Sequence, residues 1–599
     1  VKTLAFEQTL YQDTFLMNEI PATLLLEERA ALAMNAVAGL ADADYDHIPY
    51  FSANLLERPA YLRHGDWDYG SSHGRLTDAA VLARQMTGRS DWAESERRYR
   101  SGLLRFLGPD GLTYRQVNPR GHWEPNANLI DQRATLLALT TSYVDSQDPD
   151  LKAAADRQVA ALVRIAVKER DAWYYPASEY KPDGWPSRNA IDLHLAPDPA
   201  SFSGRLIMPL LRYHQATGSQ DALDLCGWFA RLIVTKSGVF NPDGSFNAAL
   251  AYRSAHFHTR IGTLDGLARY AVHAGYHALT EFTRRAYDWA LGHVTSFGWT
   301  PGDLGEQRYE HECCSLVDLI STAITLAKAG HTGYWSVAER FLRNHLTESQ
   351  LLELDWVESA PDTSRDEHGW ITYARVGERV RGAFAGYGAP NDFVSDVPFG
   401  RGHTSDVQAC CVGSGVRGLF LGWNNVVTGD DQIVRVNLLL SRAHRLARVA
   451  SWLPYRGRVD ITMSAAAREL RVRIPDWAGY AKLTVTRQPP GADGPRVTKG
   501  SEPGLWAPDG YLSVAGPRPG ERVTIEFPVP ETTVTEMAAD REFVTAWRGD
   551  DVTRISPEGT IRPMYSARPM RDAGTTQTGT GQTPMRKDTM HVPAAEWAW

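Results

Sequence analysis

Apolar positions fall into two regimes along the chain. Up to about residue 425 they recur three or four residues apart, the spacing of an amphipathic helix. Leu24, Leu25, Leu32 and Met34 set that period from Ala22 to about Ala41, with Pro21 placed to start a helix. The same period returns in Leu76 to Thr87, Trp92 to Phe106, Leu136 to Leu139, Leu206 to Tyr213, Leu264 to Val272 and Leu316 to Ala327. Helix-stopping turns separate these runs: Gly88–Asp91, Asp145–Asp148, Thr217–Gln220, Ala274–Tyr276 and Ala329–Gly333. They recur every ~55–70 residues, room for a helical pair plus a loop. Five or six such hairpins fit between residues 20 and 425, the pattern of a helical solenoid or closed toroid, read as an (α/α)6-type barrel whose closure the period does not show. Beyond Asn425 the period changes to alternation, in Ile433–Leu438, Leu470–Ile474 and Val523–Phe527. Gln488–Gly491 and Gly516–Gly520 punctuate those strands, as in an antiparallel β-sandwich.

The expected fold class is therefore α+β and multidomain, a helical barrel followed by an antiparallel sandwich. The boundaries expected are an N-terminal arm over 1–20 that packs on the sandwich, a barrel over 21–428, a sandwich over 429–540 and a partly mobile extension over 541–599. The stretch Asp572 to Thr583, rich in Thr and Gly, marks that tail.

Composition narrows the function. With 599 residues, a net charge of −8 and no long basic run, nucleic acid and anionic membrane are poor partners. No run of eighteen apolar residues occurs, so no transmembrane helix is expected. Val1 to Phe6 lacks the basic start and apolar core of a signal peptide, and a segment removed upstream stays open. The chain holds 18 Trp and 24 Tyr, whose flat faces suit sugar rings, although most belong in a core this large.

Four of the five cysteines stand in two doublets, Cys313-Cys314 and Cys410-Cys411, while Cys226 sits in an apolar helix and reads as core. Paired cysteines in so long a chain fit metal binding in a reducing compartment better than a disulfide scaffold, so a cytoplasmic location is expected. Glu312 and Cys314 cannot share a regular helical face, yet across a loop-to-helix junction both can turn to one ion. With Cys410 and Cys411 they make a tetrahedral set for Zn2+. Cys313 could replace Cys314; spacing does not decide. One reading is a structural zinc tying two hairpins together. The other is a metal-bound thiolate that is itself the nucleophile, with Glu306 as proton donor.

Other residues invite function. Asp66, Trp67 and Asp68, in a polar aromatic loop, could meet sugar hydroxyls or fix the loop itself. His258 could contact substrate or line a wall, and Tyr373 could line the pocket or pack.

The Glu-x-Cys of Glu312-Cys313-Cys314, with Cys410-Cys411 ahead of a helix, resembles glycoside hydrolase family 127, the β-L-arabinofuranosidase family, and the related family 146. Leu470-Arg471-Val472-Arg473-Ile474-Pro475-Asp476-Trp477 is similar to that family's sandwich strand, and Gly510–Val514 with Pro519–Glu521 to its next strands. The similarity runs over roughly residues 60 to 530. It implies exo-acting retaining hydrolysis of a glycoside or oligosaccharide, zinc on Glu312, Cys314, Cys410 and Cys411, Cys410 as nucleophile, Glu306 as acid/base and His258 as a substrate contact. A homodimer is compatible with it. The chain departs from the family in having Val412-Gly413-Ser414 where Pro-Pro-Asn usually follows the doublet, Ser203 where a second substrate histidine is expected, and fewer residues between Glu306 and Glu312. Two other readings stay open: a carbohydrate-binding or scaffold protein with structural zinc, and a sugar epimerase or lyase on a helical toroid.

Overall fold

Six helices stand side by side in a ring, and six more wrap them. The computed structural model describes residues 14–15, 23–115, 125–186, 198–247, 256–305, 309–360, 365–395, 406–502, 504–566 and 590–591. The 1–20 arm, apart from Thr14–Phe15, and the tail from Asp572 to Thr583 lie outside them. In chain order the barrel helices are α1 (Leu26–Gly39), α2 (Gly74–Thr87), α3 (Ala93–Phe106), α4 (Leu129–Ser146), α5 (Pro149–Ile165), α6 (Ile207–Thr217), α7 (Gln220–Thr235), α8 (Phe257–Ala274), α9 (His277–Leu291), α10 (Cys313–Lys328), α11 (Tyr334–Phe341) and α12 (Ala409–Val426).

The even-numbered helices are the inner ring: α2 packs on α4, then α6, α8, α10 and α12 follow, and α12 returns to α2. That last contact closes the barrel. The odd-numbered helices back them, with α1 across α12 and α2. Sequence pattern assigns the layers. Inner α8 buries every residue from Phe257 to Ala268, as a helix surrounded by protein must. Outer α9 buries a stripe, Thr280, Phe282, Thr283, Ala286, Tyr287 and Ala290, and leaves the other face in water.

Inner helices reach their outer partners through tight turns, each closed by a left-handed residue. Gly88, Gly218 and Gly275 take φ of 64°, 77° and 68° there, and Gln147 takes 55°. The return connections are long and lie at the opposite end, so all six inner helices start at the end that carries the long loops. The α1 start expected at Ala22 comes four residues later, at Leu26, because Leu25 is still extended, at φ −123° and ψ 113°.

The sandwich follows. One sheet orders Val427–Gly429, Ile433–Val436, Glu469–Val472 and Leu512–Ala515, and its middle pair is parallel, an exception to the antiparallel expectation. The other holds six strands from Arg442–Ala443 to Arg522–Glu526. Arg473, just past its strand, docks the sandwich on the barrel through buried Glu339 of α11.

A third sheet joins Glu531–Ala538, Arg541–Arg548 and Asp551–Ser556. The boundary expected at 540 falls inside its first hairpin, whose two-residue turn puts Ala539 and Asp540 at φ of 50° and 57°. This sheet buries Phe543, Trp547, Val552 and Ile555 against Phe297 and Trp299 of the loop before α10. Glu536 accepts from Ser296 N and Oγ, both at 2.7 Å, and Tyr309 Oη donates to Asp540 at 2.7 Å. The hairpin thus holds both Ser296 and Tyr309. No helix among the described residues is long and apolar enough to cross a membrane.

Candidate active site and metal centre

The two cysteine doublets meet where α10 and α12 begin. Both helices start earlier than their sequence pattern suggested, at Cys313 and Ala409, so the cysteines lie in the first helical turns. Glu312 is the N-cap of α10, extended at φ −115° and ψ 117°, and its carboxylate makes no capping bond. That junction lets Glu312 and Cys314 converge despite being two residues apart. One donor atom each from Glu312, Cys314, Cys410 and Cys411 lies within 4.8 Å of the others. Cys313 is fully buried and belongs to no such group among the described residues.

The spacing suits one small ion. Cys314 Sγ and Cys411 Sγ are 3.8 Å apart. Two thiolates at ~2.3 Å from a tetrahedral zinc stand roughly 3.8 Å from each other. The donor set, three sulfurs and a carboxylate, also matches the borderline-soft character of that ion.

The three sulfurs are not equivalent. Cys410 is 9 % exposed, against 1 % for Cys314 and 0 % for Cys411, and so is the least buried of the three. Burial pushes the Cys314 thiol up to about 12 and Cys411 upward as well. Cys410 is drawn down instead, because Cys314 and Cys411 both donate to its sulfur and the Arg75 guanidinium is near. Gln408 Oε1 lies 3.4 Å from Cys410 Sγ and 3.8 Å from Cys411 Sγ.

Glu312 is held from the other side by two histidines. His256 Nε2 donates to Oε2 at 2.7 Å and His258 Nδ1 to Oε1 at 2.9 Å. Burial alone would raise the Glu312 carboxyl, but His258 and His256 keep it well below the usual carboxylate range. Arg205 Nη2 donates to His258 Nε2 at 2.5 Å, and Asp318 Oδ2 stands 3.3 Å from the same nitrogen. His256, His258 and Glu312 form a second donor group that shares its carboxylate with the sulfur set.

Of the residues singled out from sequence, the structure brings Glu312, Cys314, Cys410, Cys411 and His258 together. Glu306 lies outside the described residues. Trp67 lies under Arg115, whose guanidinium is 4.7 Å from its ring centre, and Arg115 Nε donates to Asp131 at 2.8 Å. Burial raises the Asp66 carboxyl, against the pull of Arg115. Both residues precede α2, at the end of the barrel that holds the sulfurs. Asp68 turns away, to His64 at 2.8 Å. Tyr373 follows Ile371–Thr372 and meets Tyr61 edge-on at 6.1 Å. Its strand lies three places from Val407–Gln408 in a four-stranded sheet, about 14 Å at ~4.8 Å per strand. That separation suits a rim more than the reacting atoms.

Sequence reasoning missed Arg75, Arg205, His256, Gln408 and Asp318. Only His256 carried a signal, as the first half of a His-x-His pair with His258.

No protein-family model and no curated protein matches this sequence. Solved structures match over most of the chain. A family 127 β-L-arabinofuranosidase from Geobacillus stearothermophilus T6 shares 14 % identity at a TM-score of 0.55, over 87 % of this chain and 80 % of that one. A second family 127 β-arabinofuranosidase shares 15 % at 0.56, over 90 % and 81 %. A structure described as a glycoside hydrolase shares 14 % at 0.53, over 86 % and 84 %. At such identities the likeness is one of fold: a helical barrel followed by β domains.

Proposed function

We propose that this chain is an exo-acting retaining glycoside hydrolase of β-L-arabinofuranosidase-like activity, with Cys410 as nucleophile and Glu306 as acid/base. The observation that carries the reading is the sulfur cluster: four metal-type donors gathered from sites about 100 residues apart, with Cys410 the least buried of its three cysteines. The motif resemblance and the fold likeness point the same way, though fold by itself does not establish activity.

The residues fit zinc, and Glu312, Cys314, Cys410 and Cys411 would hold it. Bound there, it would keep the thiols ionised at neutral pH and ease departure of sulfur. The steps belong to the protein's own groups. Glu306 gives its proton to the leaving glycosidic oxygen while Cys410 Sγ bonds to the anomeric carbon and the C–O bond breaks. Glu306 then takes a proton from water, whose oxygen displaces sulfur at the same carbon. Two inversions return the original configuration. His256 and His258 orient Glu312, and the resemblance would give His258 a substrate contact as well.

The test is a screen of aryl furanosides and pyranosides on protein of measured zinc content. Cys410→Ser should abolish turnover, and Glu306→Gln should slow substrates with poor leaving groups most. Wild-type-like turnover by Cys410→Ser would end the proposal. The burial of Cys314 and Cys411 favours one competitor, a carbohydrate-binding or scaffold protein with structural zinc. Unfolding on chelation with no cleavage of any glycoside would select it.

A further inference from the structure

Arg75 is the second residue of α2, and no motif marks it. Its Nη1 donates to Cys314 Sγ at 3.0 Å and to Ser414 Oγ at 2.8 Å, and stands 3.5 Å from the Cys410 carbonyl. One terminal nitrogen carries two hydrogens, so the sulfur and hydroxyl contacts use both and the carbonyl contact is marginal. A single guanidinium thereby ties α2, α10 and α12 together around the sulfurs.

The seat for this side chain is built. A Cβ on Gly413 would stand 2.8 Å from both Cβ and the carbonyl oxygen of Arg75, closer than packed atoms allow. Only glycine there lets α2 approach α12. The next residue, Ser414, supplies the second acceptor. Gly413 and Ser414 are two of the positions at which this chain departs from the Pro-Pro-Asn of the family it resembles. Neither a proline ring nor any other side chain at 413 would leave that space.

A hydrogen bond from a cation draws electron density from sulfur and makes it a poorer nucleophile. Here it falls on Cys314 and not on Cys410, which is also the more exposed thiol. We propose that Arg75 is a positioning residue that quiets Cys314, fixes the three helix starts and leaves Cys410 as the reactive sulfur. The inference rests on the reading of Cys410 as nucleophile but concerns the ranking of the sulfurs, which can be measured without substrate.

The experiment is alkylation of the zinc-loaded protein with iodoacetamide, each sulfur's label counted by peptide mass spectrometry and zinc content followed alongside. Wild type should carry label on Cys410 alone. In Arg75→Met, labelling of Cys314 should rise about tenfold, the worth of one charge-assisted hydrogen bond. On any glycoside the wild type cleaves, kcat should fall with KM nearly unchanged. Arg75→Lys, which keeps the charge and loses the fork, should recover part of the selectivity. Ser414→Ala, a milder change that serves if Arg75→Met fails to fold, should raise Cys314 labelling severalfold. Label confined to Cys410 at the wild-type rate in Arg75→Met and Ser414→Ala would overturn the proposal. So would zinc loss with all three sulfurs labelled alike, which is the signature of a merely structural role. If wild type shows the selectivity but cleaves no glycoside, the hydrolase reading fails and this one stands.

Discussion

Replacing Glu339 with Gln tests what holds the sandwich on the barrel. Glu339 is fully buried on α11. Its Oε1 accepts from Arg343 Nε at 2.8 Å, and its Oε2 from Leu439 N at 3.0 Å and from Arg473 Nη2. Burial alone would raise its pKa, but Arg473 and Arg343 hold it below the usual range. Glu339→Gln keeps the shape, removes the charge and turns an amide N–H₂ toward guanidinium. Both arginines retain other partners: Arg343 reaches Leu439 O at 2.6 Å and Asp551 at 3.3 Å, and Arg473 reaches Asn437 O at 2.6 Å. The loss is therefore less than three full charge-assisted bonds. It should be about 3–5 kcal/mol, the cost of leaving a buried partner uncompensated. Urea titration read by tryptophan fluorescence and by far-UV circular dichroism checks it. The fluorescence transition should move to lower urea, and the two curves should separate if the sandwich leaves first. The sign with pH follows from the depressed pKa. The contribution is whole above the unfolded value of 4.5 and is lost as pH falls through the lower folded value. A change under about 1 kcal/mol in Glu339→Gln would refute the reasoning, because desolvation would then already have consumed the Coulombic gain.

Two further predictions concern groups near the site end of the barrel. His64 is buried with both ring nitrogens on carboxylates, Nδ1 at 2.8 Å from Asp68 and Nε2 at 3.1 Å from Asp42. Burial alone would lower its pKa, but Asp68 and Asp42 raise it above 6.5, so its stabilisation is complete below 6.5 and fades as pH rises through the folded value. Melting temperature should fall across that window in wild type and stay flatter in His64→Gln; equal slopes would contradict the assignment. Arg133 on α4 is buried with no hydrogen bond or ion pair among the described residues; burial, Arg205 and Arg75 disfavour its charge, and Asp318 and Cys314 offset only part of that. Arg133→Met should raise stability by about 1–3 kcal/mol, as removal of an unpaired buried cation does. A lower melting temperature would show that Arg133 is in fact paired.

The fold was legible because its cues are local. Helical periods and the turns at Gly88, Gln147, Gly218 and Gly275 mark the hairpins residue by residue. Closure was not, since the contact of α12 with α2 joins segments more than 300 residues apart and leaves no periodic trace. The turn at Ala539-Asp540 was missed because neither residue is the Gly or Asn that normally signals a left-handed pair. At the site, cysteine doublets are rare enough to be seen. The choice between Cys313 and Cys314 had to wait, because neighbours on a helix point about 100° apart and only the ring's orientation says which faces inward. Arginine is common, so Arg75 and Arg205 stood out only once the helices were in place.

That orientation explains where the chemistry sits. Arg75, His258, Cys314 and Cys410 are each the second residue of an inner helix, α2, α8, α10 and α12. Arg205 is the second residue of Gly204–Leu206, the short turn that runs into α6. All inner helices start at one end, and helical side chains lean toward the N-terminus, so first-turn residues reach past the helix end into the space the ring encloses. The same end presents unpaired N–H groups and the positive pole of each helix, which favours thiolate and carboxylate over their protonated forms. Position in the ring thus selects which residues meet, while helix polarity works against the burial that raises the Cys314 and Cys411 thiols. The sequence alternates between these roles only through residue type: a cation on α2, an imidazole on α8, sulfurs on α10 and α12. Cys313, one residue back from Cys314 on α10, shows the rule: about 100° round the helix, it is fully buried and belongs to no donor group among the described residues.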